Sequence, residues 1–448
     1  MKPYASYKPS GVPWLGDIPT PWAVERLRFR VKVNPSFSKP LSADLPVSFL
    51  PMEAIGDDGA LDLERTRLVG EVASGYTYFE DGDVAIAKIT PCYENGKGAV
   101  MAGLVEGVGF GTTELIVMRP TQDDCPQWLY YLTMCSAFRL PGEALMQGAG
   151  GQKRVPDLFV KDYFAPIPPP DEQQAIADYL DVETARIDTL IHEKDELIGL
   201  LREARSSRIS ELVSGDGLPG APTGNPWAPH LPQGWELKRL KHLAQVRSGL
   251  AKGKDNGSNP TVELPYLRVA NVQEGSLDLR EISTMPVEVD VVERFSLVEG
   301  DVLMNEGGDY DKVGRGAVWT GEISPCLHQN HVFAVRPVAR NLSEWLAAIT
   351  QTRYAKFYFM NNAKQSTNLA SISQANVKEL PILLPPKDQR EALLKKLGAE
   401  LVAFDDLIAH THDEITLLKE LRAATIADAV LGRIDVRGGA KTIAACVG

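Results

Sequence analysis

Two kinds of residue in this sequence have side chains and spacing suited to chemistry. One is a set of amides and cations in glycine-rich runs; the other is a handful of short patterns that imitate catalytic motifs. The first set comprises Lys88, Asn95, Lys97, Gln152, Lys153 and Arg154 early in the chain, and Asn305, Lys312, Arg315, Gln329, Asn330, His331, Lys364, Gln365 and Asn368 later. Amide and guanidinium groups make paired hydrogen bonds to base edges, while ammonium groups reach phosphates. Glycines beside them let a backbone approach a groove closely. Any one run, taken alone, reads as a solvated turn. Their recurrence at matching places in two halves of the chain points to a shared ligand surface.

The catalytic imitations do not hold together. No G-x-x-x-x-G-K-[ST] loop is present, nor an Asn-Pro-Pro-aromatic segment. Gly107-Val-Gly-Phe-Gly111 has no βαβ pattern around it, and Glu236-Leu-Lys238 is matched in the other half by Ala23-Val-Glu25. Cys326, His328 and His331 lack a fourth ligand. The five cysteines form no C-x-x-C pair, and their spacing suits neither a disulfide framework nor zinc. No active site and no metal or cofactor bound by this chain is expected.

The elements that would position the binding residues are announced by a repeat. Ile18-Pro-Thr-Pro-Trp22-Ala-Val-Glu-Arg-Leu27 matches Leu231-Pro-Gln-Gly-Trp235-Glu-Leu-Lys-Arg-Leu240, and Gly96-Lys-Gly-Ala-Val100 matches Gly314-Arg-Gly-Ala-Val318. Val117-Met-Arg119-Pro120 matches Ala334-Val-Arg336-Pro337, and Pro168-Pro-Pro-Asp171 matches Pro385-Pro-Lys-Asp388. Four matches in one order mean a tandem duplication. In each copy, short apolar runs punctuated by Gly, Pro and Asn predict an α+β domain, followed by one long helix capped by Asp171 or Asp388.

Spacing within the helical segments is eleven residues: Ile176, Ile187, Ile198, Ile209, with Tyr179, Leu190, Leu201, Leu212 as a second row. Leu393, Phe404, Ile415 and Ile426 repeat the register, echoed by Leu407 and Leu418. An eleven-residue period keeps one stripe on one face of a nearly straight helix. Such a stripe packs either along its own globular part or against the other helix; the matching stripe favours an antiparallel, coiled-coil-like pair with approximate two-fold symmetry. Gly215 and Gly432 read as helix stops and 215–226 as a flexible linker. The expected organisation is therefore a globular domain in 1–170, a spacer helix in 171–215, a second globular domain in 216–387, a second spacer helix in 388–434 and a tail in 435–448.

Composition sets the outer bounds. The chain has 448 residues and a net charge of −12, which at first argues against nucleic acid. The charge is uneven, however: 16 basic side chains face 20 acidic ones in 1–170, and 18 face 18 in 215–387, whereas 171–214 holds 5 against 11. DNA binding is not excluded. The opening run lacks an apolar signal core and no apolar stretch is long enough to span a membrane, so a cytoplasmic protein is expected.

Taken together these runs resemble the specificity subunits of type I restriction-modification systems, over nearly the whole chain. The resemblance is carried by Tyr7-Lys-Pro-Ser-Gly-Val-Pro-Trp-Leu-Gly-Asp-Ile-Pro19, Ile89-Thr-Pro-Cys-Tyr-Glu-Asn-Gly-Lys97, Gly109-Phe-Gly-Thr-Thr-Glu114, Pro168-Pro-Pro-Asp-Glu-Gln-Gln-Ala-Ile-Ala-Asp-Tyr-Leu180 and Arg186-Ile-Asp-Thr-Leu-Ile191. In the second copy Asn305-Glu-Gly-Gly-Asp309, Gly314-Arg-Gly-Ala-Val318 and His328-Gln-Asn-His331 add to it. The family implies two target recognition domains that read a bipartite, asymmetric double-stranded DNA target, joined by the helices. It also implies two modification subunits carrying S-adenosylmethionine for adenine-N6 methylation, and restriction subunits that use ATP and Mg. This chain would itself catalyse nothing. Its second junction, Asp388-Gln-Arg-Glu-Ala-Leu393, departs from the family pattern at the partner-contact region. An enzyme fusion and a protein-only scaffold are the competing readings.

Overall fold

The computed structural model describes residues 2–37, 39–121, 123–149, 151–251, 260–365 and 369–437. The chain divides into two compact units, residues 1–194 with 413–448 (unit 1) and residues 195–412 (unit 2). Among the described residues, no helix is long and apolar enough to cross a membrane.

Unit 1 is organised by strands β1 (Val31–Val33), β2 (Val84–Ala87), β3 (Gly98–Val100) and β4 (Leu115–Pro120), antiparallel in the order β1-β4-β2-β3. The runs Val-Ala-Ile-Ala and Leu-Ile-Val-Met are buried on both faces, and the strand period of two sorts them. Val84, Ile86, Ile116 and Met118 enter a core with Trp22 and Trp128, while Ala85, Leu115 and Val117 enter another with Phe79 and Leu50. A second sheet runs Thr66–Leu68, Pro46–Leu50, Val108–Gly111, Thr77–Glu80, with one parallel pair at its centre. Gly107–Gly111 is thus mostly a buried strand, not a phosphate loop.

Unit 2 repeats the plan with β5 (Ala244–Ser248), β6 (Val302–Asn305), β7 (Gly316–Val318) and β8 (Val332–Pro337), in the order β5-β8-β6-β7. The same alternation sends Val302, Met304, Phe333 and Val335 toward Trp235 and Trp345, and Leu303, Val332 and Ala334 toward Trp319. A parallel pair, Tyr266–Leu267 with Leu327–His328, again joins the second sheet. The segment 215–226 is not a free linker: Gly220–Pro222 pairs with His230–Pro232, as Tyr7–Pro9 pairs with Asp17–Pro19 in unit 1.

One buried brace recurs in both sheets. Arg119 grips Asp83 through Nε and Nη2 at 2.7 and 2.8 Å, and Arg336 grips Asp301 at 2.7 and 2.7 Å. Each carboxylate also accepts a backbone N–H, from Glu80 at 2.7 Å and Val298 at 2.9 Å, so it locks the turn that feeds β2 or β6.

Helices α1 (Pro170–Ser214) and α2 (Lys387–Val430) begin one residue before the expected acidic cap. Asp171 and Asp388 therefore lie in the first turn, where they still favour the positive end of the helix; proline at the first position of α1 is already set at helical φ. Both helices end at glycines, Gly215 at φ 67° and Gly432 at φ 71°. A Cβ at Gly215 would sit 2.6 Å from Pro232 and 3.2 Å from Trp235; one at Gly432 would meet Pro19 at 2.5 Å and Trp22 at 2.9 Å. The stop thus seats each helix end on the opening Trp of a repeat.

Within each unit the two helices run antiparallel. In unit 1 Asp188 pairs with Arg422 at 2.9 Å and Lys194 with Glu414 at 2.6 Å; in unit 2 Arg205 pairs with Asp405 at 2.9 Å and Arg208 with Glu400 at 2.5 Å. Ile176, Ile187, Ile198, Ile209, Ile415 and Ile426 are buried, and Leu190, Leu201, Leu393, Phe404 and Leu418 are half-buried. Leu407 departs from the second-row expectation at 48% exposure, because a two-helix seam covers a single narrow stripe. Ile198→Asp is expected to cost roughly 3 kcal/mol or more by placing an unpaired charge in that stripe. A thermal midpoint equal to that of the unaltered chain would refute this.

The repeats differ at the start of their helices. Gln173 is sealed inside unit 1, accepting the Cys125 N–H at 2.9 Å and donating to Asp124 at 2.8 Å and to the Pro168 carbonyl at 3.1 Å. Its counterpart Arg390 is also buried, without a partner for Nε, and burial lowers its pKa.

Candidate nucleic-acid interface

Three backbone runs meet at one end of the unit 1 sheet. The Lys88 N–H donates to the Glu114 carbonyl at 2.8 Å, Val155 N–H to the Lys88 carbonyl at 2.9 Å, and Thr90 N–H to the Lys153 carbonyl at 3.0 Å. This junction gathers Lys88, Gln152, Lys153 and Arg154, of which Gln152 and Lys153 are exposed. Arg154 clasps Glu114 with two bonds of 2.8 Å, and that guanidinium, with Lys88, holds the Glu114 carboxyl below the usual range.

Two further candidates lie on the turn 91–97. Asn95 is exposed. Lys97 instead turns its ammonium inward onto the carbonyls of Met52 (3.2 Å) and Ile55 (3.0 Å), so it fastens the turn. Arg139 fastens the same turn from beneath, donating to the Tyr93 carbonyl at 2.7 Å and to Gly96 at 3.2 Å. No cation among the sequence candidates pointed to Arg139, because it sits in an apolar helix rather than a glycine-rich run.

Unit 2 builds the same junction from other side chains. Glu306 N–H donates to the His331 carbonyl at 2.9 Å and Ile372 N–H to the Glu306 carbonyl at 2.8 Å. By backbone pairing, Glu306 stands where Lys88 stands, His331 where Glu114 stands, and Ser371 where Arg154 stands. His331 Nδ1 lies 3.0 Å from the Glu306 carboxylate. Exposed Lys364 and Gln365 lie beside Ser371 and Ala370, which pair in turn with Gly307 and Gly308. Gln329 and Asn330 are half-buried, their N–H groups bound to the Leu267 and Leu250 carbonyls at 2.9 and 2.8 Å.

Other candidates move away from a reading surface. Asn305 is 2% exposed and its amide donates to the Val272 carbonyl at 3.0 Å, so it belongs to the interior; the strand period that buries Met304's neighbours also turns this amide inward. Lys312 pairs with Asp309, and Arg315 is half-buried with its carbonyl accepting the Asn305 N–H at 2.9 Å. Asn368 lies outside the described residues. His328 Nδ1–H donates to the Val332 carbonyl at 2.7 Å, and burial pushes the His328 pKa down to about 4 and that of Cys326 up to about 12. That pair is core. Glu236 is bound to Lys238 at 2.5 Å on a strand surface.

Residues 232–419 match the profile of the type I restriction modification DNA specificity domain. The type I restriction enzyme EcoEI specificity subunit of Escherichia coli is 26% identical over 83% of this chain and 76% of its own length. The EcoAI specificity subunit, also of Escherichia coli, is 26% identical over 85% and 77%. Among solved structures, a chain from work on complex assembly and conformational transition of the type I R-M system superposes with a TM-score of 0.71 at 18% identity, covering 93% of this chain and 99% of that one. The HsdS subunit from Thermoanaerobacter tengcongensis gives 0.53 at 18% identity, over 93% and 98%. In its duplicated α+β plan, its long helices and its matched domain, the chain is similar to type I restriction-modification specificity subunits.

Proposed function

We propose that this chain is the DNA-recognition component of a type I restriction-modification complex, reading a bipartite, asymmetric target with one repeat per half-site. The observation that carries the reading is the pair of sheet-end junctions: identical backbone pairing and an identical buried Arg–Asp brace, with unlike charged and amide groups turned outward. A frame kept constant beneath a varied surface suits two readers of two different sequences. Methyl transfer to adenine N6 from S-adenosylmethionine is left to two modification subunits, and cleavage to restriction subunits that use ATP and Mg, in the cytoplasm. Exposed apolar side chains on the long helices, among them Leu200 at 63%, Val402 at 60% and Leu417 at 63%, support docking of protein partners there. The near-neutral charge of 215–387 supports weak DNA binding by the isolated chain, with its partners completing the clamp.

Exchange of residues 1–170 for the equivalent segment of a relative tests the reading. Mapping methylated adenines in cells that carry the modification subunits is expected to show a new sequence in one half of the target and the old one in the other. A change in both halves, or in neither, would refute one repeat per half-site.

A further inference from the structure

Arg154 and Glu114 form a side-on pair, Nε to Oε2 and Nη2 to Oε1, each at 2.8 Å. This contact uses one edge of the guanidinium and fixes its plane. At the outer edge, Nη1 with the second hydrogen of Nη2, the contact found among the described residues is the Gln152 carbonyl, at 3.4 Å. The Arg154 side chain is 41% exposed and that of Glu114 24%. The frame does not require the pair. Arg154 is already held by its backbone, which exchanges bonds of 2.8 and 3.0 Å with Gln147, and the matching positions of unit 2 hold Ser371 and His331. The Arg119–Asp83 brace, which the frame does require, is present in both repeats.

A guanidinium set in one plane with a partly exposed end-on fork that holds one long contact, beside exposed Lys153 and Gln152, is matched to two acceptors in line. In the major groove that pattern is O6 and N7 of guanine. We propose that Arg154 reads a guanine in the half-site contacted by the first repeat, with Glu114 as its positioning residue. This assignment rests on the DNA-recognition reading above and adds a base and a residue pair to it.

The test uses the chain assembled with its modification subunits and two variants that preserve size, Arg154→Lys and Glu114→Gln. Mapped methylated adenines should show one guanine position becoming degenerate with Arg154→Lys, with a roughly 5- to 150-fold loss of preference for guanine there. Glu114→Gln should weaken the same position less, and the other half-site should be unchanged. As a readout independent of variant folding, a target duplex with 7-deazaguanine at that position should bind the wild-type complex more weakly. The lysine variant should bind modified and unmodified duplexes alike. A lysine variant with the wild-type motif overturns the assignment, because a point charge then suffices. So does a uniform fall in methylation with the motif intact, a change in both halves, or a wild-type motif with no guanine that responds. A wild-type complex that methylates no defined motif overturns the recognition reading and this assignment with it.

Discussion

Asp301→Ala is expected to destabilise the protein by about 3–5 kcal/mol, the class of loss seen when one partner of a buried ion pair is removed. The carboxylate is 1% exposed, takes two bonds from Arg336 and accepts the Val298 N–H. Alanine there leaves a half-buried guanidinium with only a long 3.4 Å contact to the Ser296 carbonyl among the described residues, and unties the turn before β6. Asp83→Ala is expected to cost less in unit 1, because Arg119 keeps Glu80 at 2.7 Å, and the double variant Asp301→Ala with Arg336→Met should recover part of the loss, since no charge is then stranded. Urea unfolding monitored by circular dichroism checks both; single variants within about 0.5 kcal/mol of the parent, the range of ordinary surface changes, would show that the brace is not structural.

On the proposed reading of one repeat per half-site, lengthening the helices should alter what is recognised without altering either half-sequence. Four residues inserted after Arg202 in α1 and four after Leu407 in α2 leave the Arg205–Asp405 and Arg208–Glu400 pairs in register within unit 2. The added length is about 6 Å and the added rotation about 40°. At about 3.4 Å per base pair, the gap between half-sites should grow by one or two base pairs. Methylome mapping reads this directly. An unchanged gap would place the spacing outside the helices.

Much of this architecture was legible because repetition is a strong signal: the Trp22 and Trp235 phrases, the eleven-residue stripe and the glycine stops each appear twice. The braces were on the page as well, in the matched Arg119 and Arg336 and in the aspartates that open β2 and β6, but an Asp before a strand reads as turn punctuation until its partner is seen. Site residues were harder. Asn305 and Lys97 carry the right chemistry for DNA, yet strand period and nearby carbonyls turn them inward. Glu114 is an acceptor, which residue type alone does not connect with DNA; its two bonds to Arg154 show only in the fold. Residue type shows what a side chain can do; direction depends on register, which a loop sequence does not reveal.

Unit 1 is discontinuous in sequence, and this sets an order for biosynthesis. Its main core needs Ile426, Ala429, Val430 and Val436 beside Ile18, Trp22 and Ile176. Unit 2, residues 195–412, is contiguous. On a ribosome the later unit is therefore complete first, while the earlier one waits with a gap in its apolar interior until the last helix emerges. A nascent chain stopped before residue 413 would hold a finished second half and an open first half. Chaperone engagement and proteolysis would fall on the N-terminal segment, the opposite of what chain order alone suggests.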